Sequence, residues 1–142
     1  MTRIDFHVNA PDAIAYGCRL VRKIYRAGQH VVVCCEDPVR LKAFDTALWT
    51  FAPHDFVPHV MASDALAPET PVLLTASPDG LPWHEVLVNL GSTTPEGFAR
   101  FERLVEVVGA DELERGRERF RFYRDRGYPL TPTHDVAVSE RR

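Results

Sequence analysis

The chain has 142 residues, enough for one domain with a sizeable core that needs no disulfide or metal staple. Its formal net charge of −3 argues against bulk binding of a nucleic-acid duplex, which selects a basic excess. No apolar run approaches the length of a membrane span, and MTRIDFHV lacks the layout of a secretion signal. Cys18, Cys34 and Cys35 read as buried reduced thiols of a cytoplasmic protein.

In chain order, RIDFHV (3–8) alternates and predicts a first strand. Ile14, Cys18, Val21, Ile24 and Tyr25 then recur at helical spacing, with Pro11 suited to the first turn and Gly28 to the C-terminal cap. HVVVCCE (30–36) is a continuous, largely β-branched run, the mark of a strand covered on both faces, so Cys34 and Cys35 should point to opposite sides. Asp37 as N-cap and Pro38 behind it open a second helix. PVLLTAS (71–77), EVLVNLG (85–91) and LVEVVG (104–109) predict three further strands, with the turn SPDGLPW (77–83) between the first two. Thr94 and Pro95 should start a helix over TPEGFARFER, and a last helix should run from about 111 to 126 and stop at Gly127.

Strands alternating with helices predict an α/β fold. It is expected to be a single three-layer domain over 1–130, with a mainly parallel sheet flanked by helices, Rossmann-like in outline. Residues 131–142 form a C-terminal tail expected to fray.

The phosphate-cradling loop of such folds lies between the first strand and first helix, and here HVNAPDA contains no glycine. GxxxxGK[ST] is also missing, so the fold lacks a phosphate-binding loop. His54 and His59 straddle a proline and share no helix face, which favours solvated or core histidines over metal ligands. Asp5 and His7 share a strand face, but no nucleophile sits beside them, and Ser77 and Ser92 lack an elbow motif. No catalytic constellation, metal or cofactor is expected. That suggests a binding module on an enzyme-like scaffold.

Two segments invite a binding role. TALWTFAPHDFVPH places Trp49, Phe51 and Phe56 on a proline-punctuated stretch. Phe51 reads as core, while Trp49 and Phe56 suit either core or the floor of a site. Trp83 follows a turn and suits either a partner-facing aromatic or a sheet-edge plug. The last helix, DELERGRERFRFYRDRGY, is rich in both arginine and acid, and its default reading is a solvated, salt-bridged face. Yet Arg117, Phe120, Arg121 and Arg124 are spaced by three or four residues and form one stripe without an acid. A ring among guanidinium groups suits a ligand that is both acidic and aromatic. Phe120, Phe122 and Tyr123 cannot all face that ligand, so some must pack on the sheet.

In VVVCCEDPVRLKAFDTALWTFAPHDFVPH and RERFRFYRDRGY the chain resembles the chi subunit family of bacterial DNA polymerase III holoenzyme. The resemblance runs from the first strand to about Leu130 and rests on CED, FDTALW and FVPH in order and spacing. It implies an accessory replication protein of the cytoplasm, without catalytic activity, acting at the replication fork. Its implied partners are the psi subunit, which tethers it to the clamp loader, and the acidic C-terminal tail of single-stranded DNA-binding protein (SSB), which ends in phenylalanine. Contact with DNA would be indirect, through SSB, and no membrane is involved. Trp49, Phe56 and Val108 match family positions beside the tail pocket, and Arg117, Phe120 and Arg121 match basic and aromatic positions of the last helix. The family usually carries tyrosine and lysine at the last two. A further family cation falls at Leu113 or Glu114, and a threonine contact at Thr131 or Thr133. The implied arrangement is one apolar socket, containing Trp49, rimmed by Arg117 and its neighbours. The competing class is a direct single-stranded nucleic-acid-binding module, disfavoured by net negative charge and by the acids of the last helix.

Overall fold

The first strand, β1 (Arg3–Ala10), turns Ile4, Phe6 and Val8 to one face and Asp5 and His7 to the other. The computed structural model describes residues 1–51 and 56–140. Asp12 caps α1 (Ala13–Arg26) by accepting from the Ala15 N–H, so Pro11 stands just outside the helix. Gly28, at φ 85°, lets the chain leave α1 in the left-handed region. β2 (Val31–Cys34) is buried at every position, as the β-branched run requires. Asp37 then caps α2 (Pro38–Thr50), with Pro38 at its first position. The remaining elements are β3 (His59–Met61), β4 (Val72–Thr75), β5 (Val86–Asn89), β6 (Arg103–Gly109), α3 (Leu113–Asp125), β7 (His134–Asp135) and α4 (Val136–Glu140).

The seven strands form one sheet in the order β3-β4-β2-β5-β6-β1-β7, and every pairing between them is parallel. α1 and α2 cover one face, where Val21, Ile24, Phe44 and Leu48 pack on Val31, Val33 and Val88. α3 covers the other, packing Leu113, Phe120 and Tyr123 on Phe6, Leu104 and Val108. The chain is therefore a three-layer α/β fold. Cys34 and Cys35 lie in the two different core layers, and all three cysteines are buried and free.

Three features are unexpected. The helix over TPEGFARFER is a single 3-10 turn, Phe98–Arg100. Gly97 enters it at φ 79°, and Phe98 and Phe101 are both buried, a spacing of three that a 3-10 turn places on one side. The Arg103 N–H already donates to the Glu85 carbonyl as β6 begins, so no length remains for an α-helix. An unforeseen strand follows the proline-punctuated stretch: β3 starts at His59, which is 4% exposed between the Val57 carbonyl (2.7 Å) and Asp45 (3.1 Å). His54 lies outside the described residues. Finally, 131–140 makes contacts that the tail reading did not include. The Thr131 N–H donates to the Ile4 carbonyl, β7 pairs with β1, and Val136 is buried. The free edge of β1 supplies the backbone partners that hold this segment.

A candidate ligand-binding site beside the last long helix

A carboxylate in the middle of an apolar strand sets the position of α3. Glu106, in β6, is fully buried. Its Oε1 accepts from Asn89 Nδ2 (2.9 Å) and Arg119 Nε (3.1 Å), and its Oε2 accepts from the Tyr123 hydroxyl (2.6 Å). Burial pushes the Glu106 carboxyl up; Arg119, Tyr123 and Asn89 oppose that shift. Arg119 also donates to the Ser92 carbonyl at 2.8 Å, so two successive turns of α3 are tied to the sheet. Sequence reading missed this role of Glu106 and Arg119. The available signal was an acid inside LVEVV, because a charge in a central strand demands a buried partner.

With α3 held there, a cavity of about 370 Å³ opens between it, β1 and the segment entering β7. Phe6, Val8, Leu113 and Phe120 give it apolar walls. Phe120 is half-buried and meets the Phe6 ring edge-on at 5.3 Å. Arg117 lines it as a cation, Asp135 as an anion and Thr133 as a hydroxyl. Asn9, left-handed at φ 61°, holds Asp135 through its amide at 3.4 Å. Thr131 instead donates to Asp5 at 2.7 Å, so Thr133 is the threonine at this cavity.

The expected stripe is partly neutralised. Arg117 pairs with Glu114 at 3.6 Å, both side chains being well exposed, and Arg124 pairs with Asp125 at 3.1 Å. Arg121 is exposed and has no ion-pair partner among the described residues. Solvated pairs of this kind are worth under about 1 kcal/mol, so an incoming anion can displace Glu114. Val108 is buried beneath α3 against Gly116 and does not line the cavity.

Trp49 and Phe56 are not there. They are 53% and 62% exposed and meet each other at 5.3 Å, with Trp49 also on the His59 ring at 4.4 Å. That places them at the β3 edge, on an extension of the helix layer opposite α3. Four strands separate β3 from β1, about 24 Å at about 4.8 Å per step. The single socket combining Trp49 with Arg117 is thereby corrected to two separate surfaces, because α2 and α3 cover opposite faces of the sheet. Phe51 packs against the core, as read, and Trp83 stacks on His30 at 3.8 Å while donating to the Thr70 carbonyl.

Behind β1, His7 is held down to about 4 by burial first and then by His134, against the pull of Asp5. Its folded value lies below the ordinary 6.5, so the native state binds fewer protons than the unfolded chain between them. This contribution is present above 6.5 and is lost as pH falls towards 4. Urea midpoints should drop from pH 7 to pH 5 more steeply in the native protein than in His7→Gln; equal slopes would refute the assignment.

A seven-stranded parallel sheet, with a cavity on one face lined by aromatic rings and a guanidinium group, defines an α/β protein of three layers. Residues 1–131 match the family model described as DNA polymerase III chi subunit, HolC. Relatives named DNA polymerase III subunit chi are 35% identical in Pseudomonas aeruginosa, covering 92% of this chain and 94% of that protein. In Haemophilus influenzae the figures are 28%, 80% and 81%, and in Escherichia coli 28%, 80% and 79%. The chain belongs to the DNA polymerase III chi subunit family.

Proposed function

We propose that this chain is a non-catalytic accessory subunit of the replicative polymerase, bridging the clamp loader to SSB in the cytoplasm through two surfaces. The first grips the acidic, phenylalanine-terminated SSB tail. The observation that carries this reading is the cavity in which Arg117 stands beside the apolar walls of Phe6 and Phe120, with Arg121 on the same helix. The terminal ring enters between α3 and β1, and its carboxylate meets Arg117, with Thr133 as a hydroxyl donor. Arg124 and Arg121 supply field further along the helix, and Val108 acts by supporting Gly116 from below.

Burying one phenylalanine contributes about 1.5–3 kcal/mol, and a charge-assisted contact roughly 1.5–3 kcal/mol. Ordering a flexible peptide opposes both, which leaves a reversible contact of about micromolar strength. The second surface, for psi, is assigned to the exposed Trp49–Phe56 pair, since a bridge needs two partners bound at once and these rings cannot share a ligand with Arg117.

Anisotropy of a labelled acidic peptide ending in phenylalanine tests this reading. Removing that residue, or making Arg117→Ala, should weaken binding about tenfold or more. Trp49→Ala should leave peptide affinity unchanged and weaken psi binding. An unaltered affinity for the peptide lacking its phenylalanine would sink the proposal. Tighter binding of a labelled oligonucleotide than of the peptide would favour the nucleic-acid module instead.

A further inference from the structure

The opposite face of β1 carries a second cavity, of about 580 Å³, enclosed by α1, β1, β6 and the C-terminal segment. Its cations come from separate elements: Arg19 and Lys23 from α1, and Arg103 from β6. His7 and His134, their rings 5.2 Å apart, and Tyr16 add polar groups; the Tyr16 hydroxyl and His7 Nδ1 are bonded to each other, so that pair leaves one donor for a ligand. Among the described residues no carboxylate lines it. Two acids touch these cations and are already engaged. Asp5 accepts from Arg103 at 2.5 Å and from Thr131, and Glu140 pairs with Arg19. Lys23 has no ion-pair partner among the described residues. α1 itself holds no acid from Ala13 to Arg26.

We propose that this cavity is an anion site for a small phosphate-bearing ligand, separate from the cavity beside α3. Lys23 and Arg103 converge on it from two elements, as the several oxygens of a phosphate or pyrophosphate require and the two of a carboxylate do not. The space exceeds a single phosphate. Leu20, Ile24 and Ala27 offer an apolar wall to an organic group carried on it. The site owes nothing to a glycine loop: side chains supply the donors here.

The test is a titration of the full chain with inorganic pyrophosphate and, separately, a nucleoside monophosphate, followed by amide and histidine-ring NMR shifts. Saturable shifts at Lys23, Gln29, Arg103 and His7 are expected at millimolar ligand, with those of Phe120 and Arg117 unmoved. Lys23 is exposed, so Lys23→Gln should fold normally and weaken binding about tenfold. Tighter binding of the nucleoside monophosphate would assign the apolar wall to its organic part, and tighter pyrophosphate binding would assign the site to the free anion. Absence of saturable shifts, an unchanged affinity in Lys23→Gln, or binding of an oligonucleotide that neither small anion competes away would overturn the proposal.

Discussion

Replacing Glu106 by alanine is expected to lower the unfolding free energy by about 3–5 kcal/mol, the cost of removing one partner of a buried ion pair. Arg119, 6% exposed, would keep its charge with no carboxylate to meet it, and the hydroxyl of fully buried Tyr123 would lose its acceptor. Asn89 would also lose a partner, though its amide still donates to the Thr93 carbonyl at 2.9 Å. The loss is therefore set by stranded neighbours more than by the pair's own attraction. Replacing both members, Glu106→Met with Arg119→Met, should recover part of the stability, because the unpaired buried charge is removed, while the Tyr123 hydroxyl and Asn89 still lack their acceptor. Urea unfolding of the single and double variants decides the matter. A single variant within about 1 kcal/mol of the parent, or a double variant no better than the single, would show that the network does not hold α3.

The second large effect concerns Gly116, where α3 crosses β6. A Cβ there would lie 2.8 Å from Val108 Cγ1, inside the distance real side chains keep. Gly116→Val should therefore lift the first turns of α3 from the sheet, costing about 1–3 kcal/mol by overpacking. The cavity shares this wall, so the same variant should also lose most of the affinity for the phenylalanine-terminated peptide. Adding Val108→Ala on the Gly116→Val background should restore part of both, because it removes the methyl groups the new side chain meets. Unfolding midpoints and peptide anisotropy on the same preparations provide the check. Failure of the double variant to recover either quantity would show that the close approach is not what places Arg117 and Phe120.

Local pattern carried a large part of this fold. Asp37 with Pro38 marked the start of α2, the run VVVC marked a fully buried strand, and strand–helix alternation led to the parallel sheet. Each is a preference a few consecutive residues express by themselves. β3 was hidden because three residues after Pro58 show no alternation to read, and its existence depends on pairing with β4. The helix forecast over TPEGFARFER failed because Phe98 and Phe101 satisfy a 3-10 turn as well as a helix, and the start of β6 decided between them. The spacing of Arg117, Phe120 and Arg121 was legible on α3, since helical geometry is local; their ion-pair partners were less so.

By itself, then, the sequence determined the α/β class, the lack of a glycine-rich phosphate loop, and a helix presenting arginines beside a phenylalanine, since propensity and periodicity act between near neighbours. Only the tertiary structure decided that Trp49 and Arg117 stand on different faces of the sheet, that Glu106 is caught between Arg119, Tyr123 and Asn89, and that the C-terminal segment closes two cavities against β1. These depend on strand order, which brings together residues more than a hundred positions apart, as in Asn9 with Asp135. Spacing along the chain cannot encode such pairings, because burial and pairing across the whole sheet select them.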